Sequence, residues 1–380
     1  MMDLSDIRKE INQVDEEILK LFIQRMRLSE QVAQYKMEHG LPILNKARER
    51  EILAKVQEES GDLEQYAYYL FHDLIELSKA RQSELFRRPS KVRGQIERAL
   101  LAGEDVFPRS GTVACQGVEG SHSQAACEKL LPRGNIVFVK TFEAVFDAVE
   151  SGLCKFGVVP IENSANGSVR LIYELLQRKR FFIVRAANLF IRHELLANPG
   201  AELSKIREIY SHEQALGQCS RFLASLGSSV MITPCANTAL AAQMVAESGR
   251  TDCAAISSHQ CAALYGLKTI RDDIQDSDNN YTRFICIAKE PAIYAGANRI
   301  SLILPCEDKP GALYSLLSQI AVRGINMNKL ESCPVTGRHF EYMFFLELEA
   351  SVKERGVLSM LEELESSSEN CIFLGNYAMV

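Results

Sequence analysis

The sequence predicts a multidomain protein: an all-α domain at the N-terminal end, a two-lobed α/β domain in the middle, and a small ferredoxin-like α+β domain at the C-terminal end. Three observations carry that expectation. Apolar residues recur at three-four spacing from Ile7 to Tyr35; strand-like apolar runs alternate with helical stretches after Gly111; and after Pro291 the pattern changes to β-α-β-β-α-β. At 380 residues the chain is too long for one core, and 47% apolar content is ample for two or three. The expected segments are residues 1–90, a linker over 91–107, residues 108–290 and residues 296–380.

Composition removes several classes of function. A formal net charge of −6 argues against a broad nucleic-acid-binding face. The opening Met1-Met2-Asp3-Leu4-Ser5-Asp6 is acidic and holds no apolar run, so no signal peptide is expected, and no later stretch is long enough to span a membrane. A cytoplasmic protein is the expectation. The eleven cysteines are scattered, with no Cys-x-x-Cys pair and no His at metal spacing. They read as reduced, mostly buried thiols, so no metal and no cofactor is expected.

The first stripe runs through Ile7, Ile11, Val14, Ile18, Leu21, Leu28, Val32 and Tyr35 and ends near Gly40-Leu41-Pro42. It specifies one helix about 50 Å long, too long to be covered by the two shorter helices expected at Ala47–Glu58 and Leu63–Phe86. A second copy of the chain would cover the remainder in an intertwined dimer or higher homo-oligomer; a solvent-exposed extension is the alternative. Arg25 and Lys36, eleven positions apart, fall on nearly the same helical face. Two inward cations call for an anion, although such residues also snorkel from a plain coiled-coil seam. Arg8 lies on another face about 25 Å away, so it reaches the same ligand only from a partner chain. The second helix adds Arg48 and Glu49, and the third adds Ser78 and Gln82 four positions apart on one face.

Arg8, Arg25, Lys36, Arg48, Glu49, Ser78 and Gln82, in this order and spacing, resemble the active site of the all-helical chorismate mutases across nearly all of residues 1–88. Asn45 stands where that family usually has Asp, as a contact for the substrate hydroxyl. The resemblance implies that Arg25, with Arg8 of the other subunit, holds the two carboxylates of chorismate. It implies that Lys36 and Gln82 donate to the ether oxygen and that Glu49 orients the ring hydroxyl. A pericyclic rearrangement to prephenate needs only a clamped conformer and charge stabilisation.

Residues 89–107 mix charges with a short helical pattern, Ile96–Leu101, and read as a linker. Strands are then expected at Thr112–Cys115, Ile136–Val139, Phe156–Ile161, Phe181–Ala187, Ile206–Tyr210, Val230–Thr233, Ala254–Ile256 and Ile285–Ala288, with substantial parallel sheet. Four polar loops follow or open strands. Gly117-Val118-Glu119-Gly120-Ser121-His122-Ser123 offers backbone N–H groups to an anion without matching a dinucleotide or P-loop fingerprint. The others are Pro160-Ile161-Glu162-Asn163-Ser164, Tyr210-Ser211-His212-Glu213-Gln214, and Asn279-Asn280-Tyr281-Thr282-Arg283-Phe284. Each alone reads as a turn with a helix cap.

Together they resemble prephenate dehydratase over about residues 111–288, with Val118-Glu119 where that family usually has Pro and another residue. The resemblance implies prephenate as substrate and Thr282 as the hydrogen-bond donor to the departing hydroxyl. It also implies that Glu162, Asn163, Ser211 and Gln218 line the cleft, with Arg283 near the substrate's charge or bracing the loop. His212 reads instead as a residue that satisfies local backbone groups.

The last region reads as strand Arg299–Leu304, helix Gly311–Arg323, strands Ile325–Cys333 and Tyr342–Leu348, helix Val352–Leu364 and strand Cys371–Tyr377. Gly311-Ala312-Leu313 and Glu331-Ser332 followed by Pro334 resemble the ACT regulatory domain of prephenate dehydratases, which implies phenylalanine as effector between paired domains. Asn326 and Asn328 would add hydrogen bonds. Cys333 and Tyr314 replace the Arg and Val usual there. The overall expectation is a bifunctional enzyme making phenylpyruvate from chorismate. Two rival readings are a two-lobed small-molecule sensor, and a monofunctional dehydratase with a merely dimerising N-terminus.

Overall fold

The structure is a computed structural model. It describes the chain except residues 1, 2, 44, 86–89, 104, 105, 307, 335–341 and 369, together with the side chains of residues 333, 334, 342 and 367. In chain order α1 (Leu4–Glu38), α2 (Lys46–Glu59), α3 (Glu64–Leu85) and α4 (Lys91–Ala102) lead into β1 (Ser110–Gln116), α5 (His122–Leu130), β2 (Arg133–Val139), α6 (Phe142–Glu150), β3 (Phe156–Asn163) and β4 (Gly167–Ser168). Then come α7 (Arg170–Lys179), β5 (Phe182–Phe190), β6 (Glu194–Ala197), β7 (Glu208–His212), α8 (Glu213–Gln218), α9 (Ser220–Ser225), β8 (Met231–Cys235), α10 (Thr238–Ser248), β9 (Cys253–Ser257), α11 (His259–Tyr265), β10 (Lys268–Arg271) and β11 (Tyr281–Ala288). The chain closes with β12 (Arg299–Cys306), α12 (Ala312–Ala321), β13 (Asn326–Pro334), β14 (Tyr342–Glu349), α13 (Val357–Ser367) and β15 (Ile372–Met379).

The chain divides into two compact units, one of Met1–Gln95 with Leu304–Cys371 and one of Ile96–Ile303 with Ile372–Val380. The C-terminal β-α-β-β-α-β order is as expected, while its residues are shared between the two units. In the first unit α1 buries only Ser29 and Ala33, against α3. The apolar stripe itself, from Ile7 through Ile11, Val14, Ile18 and Leu21 to Tyr35, stays exposed. Helix α3 also meets α12 and α13. The Tyr314 hydroxyl, on α12, donates to Asp73 at 2.6 Å, and Arg323 donates to Ser83 at 3.1 Å and to Glu363 at 2.6 Å. Tyr314 thus fills its place against α3, its ring 5.2 Å from that of Tyr69.

The second unit holds two sheets. In one, β11 lies antiparallel between β3 and β5, and β1 lies parallel to both β3 and β2. In the other, β7 is parallel to β8 and β9, and β6 and β10 extend the β9 side antiparallel. The sheets are therefore mixed, with the parallel pairs confined to strands separated by a helix, as short crossovers require. Each sheet has its own core: Val113, Cys115, Val158, Phe284 and Cys286 in the first, Ile209, Ala254 and Ile256 in the second.

Three expectations need correction. The segment read as a linker is mostly α4, whose Val92, Ile96 and Ala99 are buried at helical spacing; its Arg93 pairs with Glu362 and the Val92 N–H donates to Glu365 at 3.2 Å. The helix expected from Val352 begins at Val357, because Gly356 at φ +81° ends the preceding turn as the helix N-cap. Strands β6 and β10 were not expected at all, being four residues each. The end of the third helix at Phe86 and the side chain of Cys333 lie outside the described residues.

Candidate functional site

Two clusters gather most of the candidate residues. In the first unit, the half-buried Arg25 donates to Leu74 O at 2.7 Å and to the Ser78 hydroxyl, so α3 holds the guanidinium that α1 projects. Eleven positions on, Lys36 Nζ donates to Ile43 O at 2.7 Å and approaches Gln82 Oε1 at 3.5 Å, while Gln82 Nε2 donates to Ser29 Oγ at 3.1 Å. The helical spacing therefore delivers two cations to one face, each matched to a polar residue of α3. Burial lowers the pKa of Arg25.

Other members stand apart in the single chain. Asn45 caps α2 by accepting the Arg48 N–H at 3.1 Å, and the Arg48 side chain is exposed and pairs with Glu51 at 2.8 Å. Arg8 is exposed near the far end of α1. Glu49 lies 3.7 Å from Lys79, which pairs at 2.6 Å with the buried Glu76. Sequence reasoning missed this pair, whose only signal is its i, i+3 spacing. Burial pushes the Glu76 carboxyl up to about 7, against the pull of Lys79.

The second cluster forms where β3 ends and β11 begins. Register sets Thr282 opposite Asn163 and Arg283 opposite Glu162. Asn163 Nδ2 donates to Thr282 Oγ1 at 2.8 Å and to Asn280 Oδ1 at 2.9 Å, and Arg283 pairs with Glu162 at 3.2 Å. Asn280 Nδ2 then reaches Gln218 Oε1 at 2.9 Å, which also lies 2.8 Å from His193 Nε2. Thr282, Asn163, Gln218, Glu162 and Arg283 are thus brought together by contacts between strands and α8. Ser211 is not: its buried hydroxyl is given to Ile256 O at 2.7 Å, a tie between β7 and β9. His212 accepts the Gln214 N–H at 3.3 Å and so caps α8.

The sequence reading did not single out His193, Asn280 or His122 as site members. His193 and Asn280 are each 2% exposed. His122 opens α5, its ring centroid 6.1 Å from that of His193; burial and then His193 push its pKa down to about 4. The loop before it spends several donors on itself: the Gly117 N–H bonds Val139 O, the Ser121 N–H bonds Val118 O, and the Gly120 N–H bonds Gln124 Oε1 at 2.7 Å. Fewer backbone donors remain for an anion than the glycine-rich sequence promised.

The candidate effector residues share the first unit. Gly311, at φ +80°, caps α12 ahead of Ala312 and Leu313. Asn326 donates to Asn328 at 2.9 Å and to Glu349 at 3.0 Å, Glu331 lies 3.8 Å from Lys329, and Ser332 is exposed. Among the described residues no group of three or more His, Cys, Asp and Glu side chains is placed to hold a metal, and no helix is long and apolar enough to cross a membrane.

Both clusters lie within stretches of the chain that match known families. Residues 7–83 match the type II chorismate mutases and residues 113–292 the prephenate dehydratases. A bifunctional chorismate mutase/prephenate dehydratase of Aquifex aeolicus is 30% identical across 99% of this chain and 98% of its own. An arogenate dehydratase/prephenate dehydratase of Arabidopsis thaliana is 38% identical over 70% of this chain and 72% of its own. Among solved structures, a prephenate dehydratase of Arthrobacter aurescens in complex with L-Phe superposes with a TM-score of 0.65 at 30% identity, covering 70% of this chain and 90% of its own.

Proposed function

Since the chain belongs to the family of bifunctional chorismate mutase/prephenate dehydratases, we infer that it makes phenylpyruvate from chorismate in two steps, one at each cluster. The first is a Claisen rearrangement, in which the ether C–O bond breaks as a C–C bond forms. The Arg25–Ser78 and Lys36–Gln82 pairs support this reading. Arg25 is presented to a carboxylate, and Lys36 and Gln82 to the ether oxygen, where negative charge develops. In the second step the ring carboxylate leaves as CO₂, its bonding electrons complete the aromatic ring, and the ring hydroxyl departs with a proton as water. The observation that carries this assignment is the meeting of Thr282 with Asn163 at the joint mouth of β3 and β11. Thr282 hydrogen-bonds the departing oxygen, and Arg283, paired with Glu162, lies beside the substrate's charge.

The mutase site is completed by a second copy of the chain. Support comes from α1, 35 residues long and about 52 Å, whose apolar stripe is exposed along most of its length; Arg8 then comes from the partner. Phenylalanine binds the C-terminal region around Gly311, Asn326 and Asn328, a reading supported by the sequence resemblance and by the L-Phe complex of the Arthrobacter protein. A cytoplasmic location is part of the same reading. The monofunctional alternative leaves the match of residues 7–83 unexplained.

The test is incubation of purified protein with chorismate, with prephenate and phenylpyruvate separated by chromatography. Both should appear in sequence. Prephenate alone would sink the second assignment, and no product from chorismate with turnover of supplied prephenate would sink the first. Calorimetry with phenylalanine, alongside the dehydratase assay, tests the effector.

A further inference from the structure

The residues around Thr282 form a hydrogen-bond chain whose direction is fixed at one end by the backbone. We propose that Asn280 and His193 are positioning residues that set this direction, leaving the Thr282 hydrogen and the Gln218 amide NH₂ for prephenate. The proposal rests on the reading of the β3–β11 cluster as the dehydratase site. The N–H groups of Ala165 and Asn166 both donate to Asn163 Oδ1 at 3.0 Å. A backbone N–H can only donate, so that atom is the oxygen and Nδ2 is the amide nitrogen. Its protons go to Thr282 Oγ1 at 2.8 Å and Asn280 Oδ1 at 2.9 Å, with Tyr281 O a longer third partner at 3.3 Å.

Each later link inherits that polarity. Asn280 accepts with Oδ1, so it must donate with Nδ2, and it does so to Gln218 Oε1 at 2.9 Å. An oxygen at that position requires His193, 2.8 Å away, to carry its proton on Nε2. Burial lowers the His193 pKa and keeps the ring in that neutral form, although the Gln218 bond opposes the shift. Gln218 Oε1 is thus held by two donors, and its NH₂ turns away from both. At the other end the Thr282 oxygen already accepts from Asn163, so its hydrogen is left for another oxygen. Asn280 and His193 are nearly inaccessible, whereas Thr282 and Gln218 are half-exposed. The buried pair therefore acts through the exposed pair.

Asn280→Asp tests the direction. An ionised carboxylate can accept from Asn163 and has no proton for Gln218, so the Gln218 amide reverses and offers oxygen where NH₂ stood. A protonated Asp regains the donor, and burial of this position raises the carboxyl pKa. Dehydratase kcat/KM of Asn280→Asp should fall about ten- to a hundredfold at pH 8, mainly through KM, and recover on acidification. The wild-type profile, measured in parallel, carries the contributions of His193, His122 and Asp276, and the charged groups beside the chain of bonds are Arg283 and Glu162. His193→Gln, which keeps an N–H donor, should lose less than His193→Leu. Mutase turnover in each sample shows that the variant is folded. An Asn280→Asp profile parallel to the wild type overturns the proposal. A Thr282→Ala enzyme that keeps dehydratase activity overturns instead the reading of the site on which it rests.

Discussion

A Thr hydroxyl is a weak acid, so in the proposed role what Thr282 would contribute to the departure of a hydroxyl comes from its placement: half-exposed, at a strand mouth, with its oxygen held by Asn163 at 2.8 Å. Thr282→Ala should cut dehydratase turnover by ~10² or more while chorismate is still converted to prephenate, and Thr282→Ser should retain part of the rate. Chromatographic assay of both products decides it; near wild-type phenylpyruvate from Thr282→Ala would reduce the hydroxyl to a strand-end tie. Glu76 offers a prediction of a different kind. Its carboxyl is 2% exposed, and burial raises its pKa from an ordinary 4.5 to about 7. The folded state therefore prefers the protonated form, so the stability this group contributes is fully present below about pH 4.5 and is lost as pH rises toward 7. The loss should be on the order of 1–3 kcal/mol. Denaturant unfolding between pH 5 and 8 should show that slope in the wild type and a shallower one in Glu76→Gln, whose amide cannot ionise. Equal slopes would mean that the Lys79 pair keeps Glu76 charged throughout.

At the scale of elements, the cleft loop depends on one glycine more than on its sequence length. Gly120 adopts φ +84°, and a Cβ there would sit 2.7 Å from Cys261 Sγ and 3.1 Å from Leu264. Gly120→Ala should cost about 1–3 kcal/mol through backbone strain and overpacking, lowering dehydratase activity while the mutase persists. Thermal unfolding with the two assays checks this, and an unchanged melting point would refute it. The elements themselves were legible where the pattern was long. The α1 stripe and the apolar runs of β3 and β11 could be read directly, because period and length agree. β6 and β10 escaped because four residues carrying Glu194, Lys268 and Arg271 show no alternation. Of α4 only the Ile96–Leu101 part was legible, because basic residues and Gly94 mask a stripe of only Val92, Ile96 and Ala99. In the sites, helix spacing aligns Arg25 with Lys36 and Ser78 with Gln82, and the family resemblance singled the four out as a site. Asn280 and His193 were not, since their roles arise from pairings such as Asn163 with Thr282, 119 positions apart.

At the scale of the whole molecule, the proposed pairing along the exposed stripe of α1 would make the mutase activity a property of an assembly. Ile11, Val14, Ile18 and Leu21 are each more than half exposed in the single chain, and a helix of 35 residues cannot bury them on α3, which has 22. In the proposed dimer a partner helix along this stripe would remove them from water at about 25 cal/mol per Å² and would carry its own Arg8 to the Arg25 cluster. Ile18→Glu should therefore shift sedimentation toward monomer and lower mutase turnover without touching any residue assigned to chemistry. Sharing makes a sharper demand. In a dimer of one Arg8→Ala chain and one Arg25→Ala chain, one site has both arginines and the other has neither. Each parent homodimer has two defective sites. Random mixing gives half mixed dimers, so co-expression should restore roughly a quarter of wild-type mutase turnover from parents that are each nearly inactive, as two-fold symmetry requires. Dehydratase activity, whose proposed residues all lie in one compact unit of a single chain, should be unchanged throughout. If verified mixed dimers show only the parents' residual mutase rates, Arg8 does not act across the interface, and the exposed stripe serves assembly alone.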